Sequence, residues 1–117
     1  MQTLRDDKSS AIGKYTVSLQ AHSKTMICNG EIIKLTSTEY QLIYHLLDGH
    51  VVQDQALAIT ALGHNHTSQL NQTEMDNLER HIQNIRSKIR PYQLNLYRVH
   101  RYGYILAEIK KGRQQRV

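Results

Sequence analysis

TEMDNLERHIQNIRSKIRPYQLNLYRVHRYGY, residues 73–104, reads as a long amphipathic helix, a stop at proline and a two-stranded ribbon with a basic tip. Met75, Leu78, Ile82, Ile85 and Ile89 alternate spacings of three and four, the mark of one buried helical stripe. The opposite face carries Asn77, Arg80, Asn84 and Ser87, with Gln83 and Lys88 at its flanks. None of these is acidic; Asp76 and Glu79 lie toward one side. Their side chains are donors suited to phosphates and base edges. A solvated polar back on a core helix is the blander reading, and the ribbon that follows weighs against it. Pro91 ends the helix, because the residue before proline is pushed out of the α region. The ribbon runs QLNLYRV, a tip at His100–Gly103, then YILAEI. Gly103 is expected to supply the left-handed residue of a three-residue loop, and Tyr97, Val99 and Tyr104 are expected to face the core.

Upstream, KYTVSLQ (14–20) alternates Tyr15, Val17 and Leu19 with Thr16, Ser18 and Gln20, a half-buried strand. KTMIC (24–28) and EIIKL (31–35) flank Asn29-Gly30, a strong hairpin signal because a type I′ turn needs two residues tolerant of positive φ. A small antiparallel sheet follows, of three strands or four. Thr36-Ser37-Thr38-Glu39 spells a capping box for a helix from Ser37 to about Leu47, with Leu35 and Tyr40 at hydrophobic-staple spacing and Gly49 at its end. A shorter helix spans roughly Gln55–Leu62, with Asp54 a candidate N-cap and Gly63 the stop. The third helix starts near Gln72–Glu74, capped by Asn71 or Thr73.

The 117 residues suffice for one hydrophobic core and are too few for two. Residues 1–13 read as a flexible lead-in, 14–107 as one domain of α+β class, and 108–117 as a basic tail. One cysteine, Cys28, excludes an internal disulfide and points to a reducing compartment. No apolar run reaches membrane-spanning length, and MQTLRDDKSS lacks the apolar segment of a signal peptide, so a soluble, intracellular chain with no membrane contact is expected. Net charge is +5, unevenly placed. Residues 1–75 hold five Lys/Arg against seven Asp/Glu, net −2, and residues 76–117 ten against three, net +7. Such a one-ended excess is a footprint for a polyanion. Lys110, Lys111, Arg113 and Arg116 in the tail supply four of those ten cations, so part of the excess is a solvated end.

Sheet, helix, helix, loop, long helix and hairpin, in this order, resemble the OmpR/PhoB-type winged-helix DNA-binding domain. The residues that carry the resemblance are LTSTEYQLIYHLL (35–47), VVQDQAL (51–57), HIQNIRSKI (81–89) and RVHRYGYIL (98–106), whose wing is most similar to the ToxR/CadC-like branch. Together they cover nearly the whole chain. The resemblance implies a winged helix-turn-helix and a cytoplasmic, nucleoid-associated bacterial transcription regulator that binds double-stranded DNA in a sequence-directed way. It implies the third helix in the major groove and the wing in the minor groove. It also makes the loop at about 63–72 a candidate contact for RNA polymerase, and a homodimer on paired half-sites a candidate assembly. Six positions depart from the family pattern. Gln53 and Asp54 replace Ser and Arg, and Asp76 replaces a frequent Arg. Arg98 replaces Thr, His100 replaces Arg or Pro, and Arg101 replaces the Gly of one branch. No receiver-like phosphoacceptor pocket is expected within these residues.

On this footing Arg80 is expected to pair with guanine and Asn84 with adenine, with Asn77, Gln83 and Ser87 on the same face. Arg86 and Lys88 are assigned to phosphates, although an ion pair of Arg86 with Glu79 or Asp76 is an equal alternative. Arg98 and Arg101 at the wing suit the electronegative minor groove, and Tyr102 either stacks on a sugar or packs. His81 and His100 read as neutral hydrogen-bonding members of the surface. His64 and His66 lack a third ligand at metal spacing and read as polar loop; no metal and no cofactor are expected. No nucleophile motif or glycine-rich phosphate loop is present, so no enzyme is expected. The alternative function is a winged-helix protein-interaction module, an adaptor or anti-regulator without specific DNA binding, suggested by Asp54, Asp76 and the altered wing.

Overall fold

Asn29 and Gly30 adopt φ of 53° and 83°, the paired positive values of a type I′ turn, and fold Thr25–Cys28 (β3) against Glu31–Lys34 (β4). The computed structural model describes residues 7–61, 63 and 70–109. Tyr15–Gln20 (β2) pairs with β3, and Lys8–Ile12 (β1) pairs with β2, completing a four-stranded antiparallel meander. The fourth strand lies inside the segment expected as a lead-in. Gly13, at φ +62°, turns the chain so that Ile12 faces Tyr15, and pairing with β2 makes a strand of the polar KSSAI. Lys8 extends this strand's reach: its ammonium donates to the Tyr44 carbonyl at 2.9 Å and lies 3.4 Å from Asp48.

The Thr36–Glu39 capping box forms as expected, with Glu39 N–H donating to Thr36 Oγ1 and Thr36 N–H donating to Glu39 Oε1. It opens Ser37–Leu46 (α1), and Gly49, at φ +80°, follows in the left-handed conformation. Val52–Gln53 (β5) leads into Asp54–Ala61 (α2). Asp54 is the first helical residue rather than a cap outside the helix: its carboxylate accepts from Arg98, and its N–H donates to the Tyr102 carbonyl at 2.9 Å. Gln72–Ile89 (α3) starts from Asn71, the first of the two candidate caps, through a second capping box with Glu74. A 3-10 turn at Arg90–Tyr92 carries Pro91, and Gln93 at φ 69° redirects the chain. Leu94–Val99 (β6) and Gly103–Glu108 (β7) form the wing, with β5 on the other edge of β7 in the order β5-β7-β6.

One apolar cluster joins these parts. Val17, Leu19, Met26 and Cys28 come from the meander, and Tyr40, Leu42, Ile43 and Leu46 from α1. Leu78, Ile82, Ile85 and Ile89 come from α3, and Leu94, Leu96, Tyr104 and Leu106 from the wing. Met75, at the upper end of the expected stripe, is only half-buried. Burial pushes the Cys28 thiol above its ordinary value, which keeps it an unreactive apolar filler.

Two expectations about the wing are corrected. The core-facing phase of β6 is Leu94, Leu96 and Arg98, so Tyr97, 39% exposed, points outward. The left-handed residue of the tip is His100 at φ 47°, not Gly103. Gly103 serves a different need: a Cβ there would collide with the Val52 carbonyl, so its absence lets β5 pair with β7.

Candidate nucleic-acid interface

α3 is pinned on both flanks, and what lies between stands free. Met75, Glu79, Ile82 and Arg86 share one flank by helical spacing. There Arg86 Nε donates to the Leu96 carbonyl of β6 at 2.8 Å, and its guanidinium sits 5.8 Å from the centre of the Tyr104 ring. On the opposite flank Lys88 Nζ lies 2.5 Å from Glu39 Oε1 and donates to the Lys34 carbonyl at 3.1 Å. The Glu39 side chain is 3% exposed, so Lys88 neutralises a buried carboxylate that also holds the α1 cap. Neither cation occupies the free phosphate-facing position expected from sequence, and Arg86 pairs with neither Glu79 nor Asp76. Helical periodicity carried the signal: Arg86 is four residues after Ile82 and Lys88 three after Ile85, at the borders of the buried stripe.

Lys88→Ala is therefore expected to act on folding. Losing one partner of a buried pair costs about 3–5 kcal/mol and of an exposed pair about 1 at most, so a half-exposed lysine on a buried glutamate should cost about 2 kcal/mol. Urea unfolding should show a lowered midpoint with an unchanged slope.

Between the flanks Arg80, Gln83, Asn84 and Ser87 are exposed, and Asn77 and His81 are partly so. Arg80 Nη2 donates to Asn77 Oδ1 at 2.8 Å, which leaves its other donors directed outward. Asp76, also exposed, accepts from Gln72 Nε2 at 2.8 Å. Among the described residues no carboxylate pairs with Arg80 or Arg101.

The wing tip spans His100–Tyr102, closed by Tyr102 N–H donating to the Val99 carbonyl at 2.9 Å. His100 and Arg101 are exposed, and Tyr102 is 52% exposed. Arg101 and Tyr102 line a cleft of about 320 Å³ together with Gln53, Asp54, Gln55, Leu70, Met75 and Arg98. The cleft sets the tip beside the first turns of α3. Arg98 is not at the tip. It sits in β6 on the core-facing side, opposite Tyr104 in register, with Nη1 2.5 Å from Asp54 Oδ1 and its guanidinium 4.8 Å from the centre of the Tyr104 ring. That hydrogen bond to Asp54 holds the Arg98 guanidinium above its ordinary value, while burial pushes up the Tyr104 hydroxyl. Two departures from the family pattern, Asp54 and Arg98, are thus each other's partners.

Leu62 and residues 64–69, hence His64, His66 and most of the loop at 63–72, lie outside the described residues, as do residues 1–6 and the cations of 110–117. Among the described residues no three His, Cys, Asp or Glu side chains cluster to hold a metal, and no helix is long and apolar enough to cross a membrane.

No protein-family model and no curated protein sequence matches the chain. Solved structures do. The C-terminal DNA-binding domain of RstA from Klebsiella pneumoniae aligns with a TM-score of 0.62 at 19% identity, over 91% of this chain and 94% of that one. The DNA-binding domain of CpxR from E. coli aligns with a TM-score of 0.62 at 22% identity, over 88% and 99%. The DNA-binding domain of the response regulator AdeR, solved in complex with an intercistronic region, aligns with a TM-score of 0.60 at 21% identity, over 79% and 94%. With its four-stranded meander, three helices and C-terminal hairpin, this chain has the winged-helix fold of OmpR/PhoB-type response-regulator DNA-binding domains.

Proposed function

We propose that this protein binds double-stranded DNA with sequence preference and regulates transcription, laying α3 in the major groove and the wing tip in the adjacent minor groove. The observation that carries the reading is the exposed Arg80, Gln83, Asn84 and Ser87 surface, framed by two flanks that are fixed to the rest of the fold. An α-helix fits the major groove, and 18 residues span ~27 Å at ~1.5 Å each, enough to follow it. Arg80 and Asn84 are the base-reading pair, with Asn77, His81, Gln83 and Ser87 around them. Arg101 and His100 are the wing contacts. Arg86, Lys88 and Arg98 instead hold the frame. Likeness of fold to domains named for DNA binding supports the reading, and so does the positive excess of residues 76–117. Pairing of two copies on neighbouring half-sites and contact with RNA polymerase through 63–72 belong to the same reading.

Salt titration tests it. Each phosphate contact adds about 0.9 to the salt slope, so affinity for a random-sequence duplex should fall about 3.5-fold per contact between about 50 and 200 mM salt. A flat response, together with capture of one protein partner, would select the interaction-module alternative. The pairing of Asp54 with Arg98 removes part of that alternative's motive, since this acid is already neutralised within the molecule.

A further inference from the structure

Asp54 grips the wing twice. Its backbone N–H donates to the Tyr102 carbonyl at the tip, and its carboxylate pairs with Arg98, two strand positions below the tip. The Asp54 and Arg98 side chains are 12% and 30% exposed, so the pair is partly desolvated and screened little by salt. It sits on the wall of the cleft between α2, α3 and the tip, which also carries the exposed Arg101. The two residues of the pair have opposite consequences for a polyanion: Arg98 would attract a phosphate, and Asp54 would repel it.

We propose that Asp54 is a positioning residue for the wing: by holding Arg98 and the Tyr102 carbonyl it withholds one cation from DNA and fixes the tip, so that Arg101 alone makes the wing's charged contact. Sequence preference then depends on Asp54, although Asp54 touches no nucleotide. The proposal rests on the DNA-binding reading for its consequence, and on the wing's geometry alone for its mechanism.

Two measurements on Asp54→Asn separate these. The first is amide hydrogen exchange without DNA. Residue 54 opens α2, so its N–H has no intrahelical acceptor, and its protection comes from the Tyr102 carbonyl. Asp54→Asn is expected to speed exchange at residue 54 at least tenfold, and Arg98→Met, which keeps a long side chain over Tyr104, should do the same. Unchanged protection in both variants overturns the proposal whatever DNA does.

The second is salt-dependent binding to a random-sequence duplex and to one enriched from a randomised pool. Asp54→Asn frees Arg98 and should steepen the salt slope by about 0.9, one added phosphate contact. It should also tighten random-sequence binding and narrow the preference for the enriched duplex about tenfold. The added slope should vanish in Asp54→Asn/Arg98→Met. A purely structural role would weaken both duplexes alike with the slope unchanged, which counts against the proposal. Should wild type bind neither duplex while the exchange result holds, the DNA reading fails and the positioning role stands.

Discussion

Gly103→Val is expected to lower folding stability by about 3 kcal/mol or more, the upper end of what overpacking a well-packed site costs. The obstacle is backbone, not a side chain that can swing away: a Cβ at position 103 meets the Val52 carbonyl oxygen and then Gln53 Cα. Relief requires β5 to part from β7, losing the Val52–Tyr104 and Gln53–Gly103 pairings. It also loosens Asp54, the next residue after β5. Against a typical total of about 5–15 kcal/mol, a loss of this size leaves a substantial unfolded fraction in mild denaturant. Gly30→Ala is the internal control. Gly30 sits at φ +83° with open space around it, so alanine meets only backbone strain, about 1–2 kcal/mol. Urea unfolding of the two variants should rank them in that order. Equal midpoints would show that β5 does not press on β7 as closely as described.

Arg80→Ala combined with Asn84→Ala is expected to remove most sequence preference while leaving the fold intact. A bidentate side-chain-to-base pair discriminates by about 1–3 kcal/mol, so losing both should narrow the ratio of preferred to random binding by roughly 30-fold to 10⁴-fold. Both residues are exposed, and among the described residues the polar contact at stake is the Arg80–Asn77 bond on the surface. Stability should therefore change by no more than about 0.5 kcal/mol. The measurement is competition between an enriched and a random duplex, alongside an unfolding curve. Arg86→Ala should show the converse pattern, since its guanidinium holds the β6 backbone: reduced stability with preference preserved at protein concentrations where the variant is folded.

Much of this architecture is written locally, where one interaction decides a short segment. Asn29-Gly30, the Thr36–Glu39 box and the Leu78–Ile89 stripe each specify their structure within a few residues, and each forms as read. Features fixed by a pairing partner, near or far along the chain, leave little trace in their own residues. KSSAI has one fully buried residue, Ile12, and becomes a strand because β2 offers it a partner. In LNLYRV both strand phases are apolar enough to face a core, Leu94 and Leu96 in one and Tyr97 and Val99 in the other. The burial of Leu94 and Leu96 decides the phase, and it carries Arg98 inward with them.

The candidate site shows the same division. Its exposed members follow from helical periodicity, but which cations are free depends on acids and carbonyls far along the chain. Lys88 meets Glu39 across 49 positions and Arg98 meets Asp54 across 44. Spacing alone cannot tell a cation that waits for a phosphate from one that already has a partner.

The most direct test is a backbone-amide NMR titration of the protein with a random-sequence duplex at low salt. The account predicts one contiguous set of perturbed amides, at Asn77, Arg80, Gln83, Asn84 and Ser87 on α3 and at His100–Tyr102 on the wing, with β2 and β3 unmoved. Perturbations confined to the meander or to α1, with the outer face of α3 silent, would contradict it.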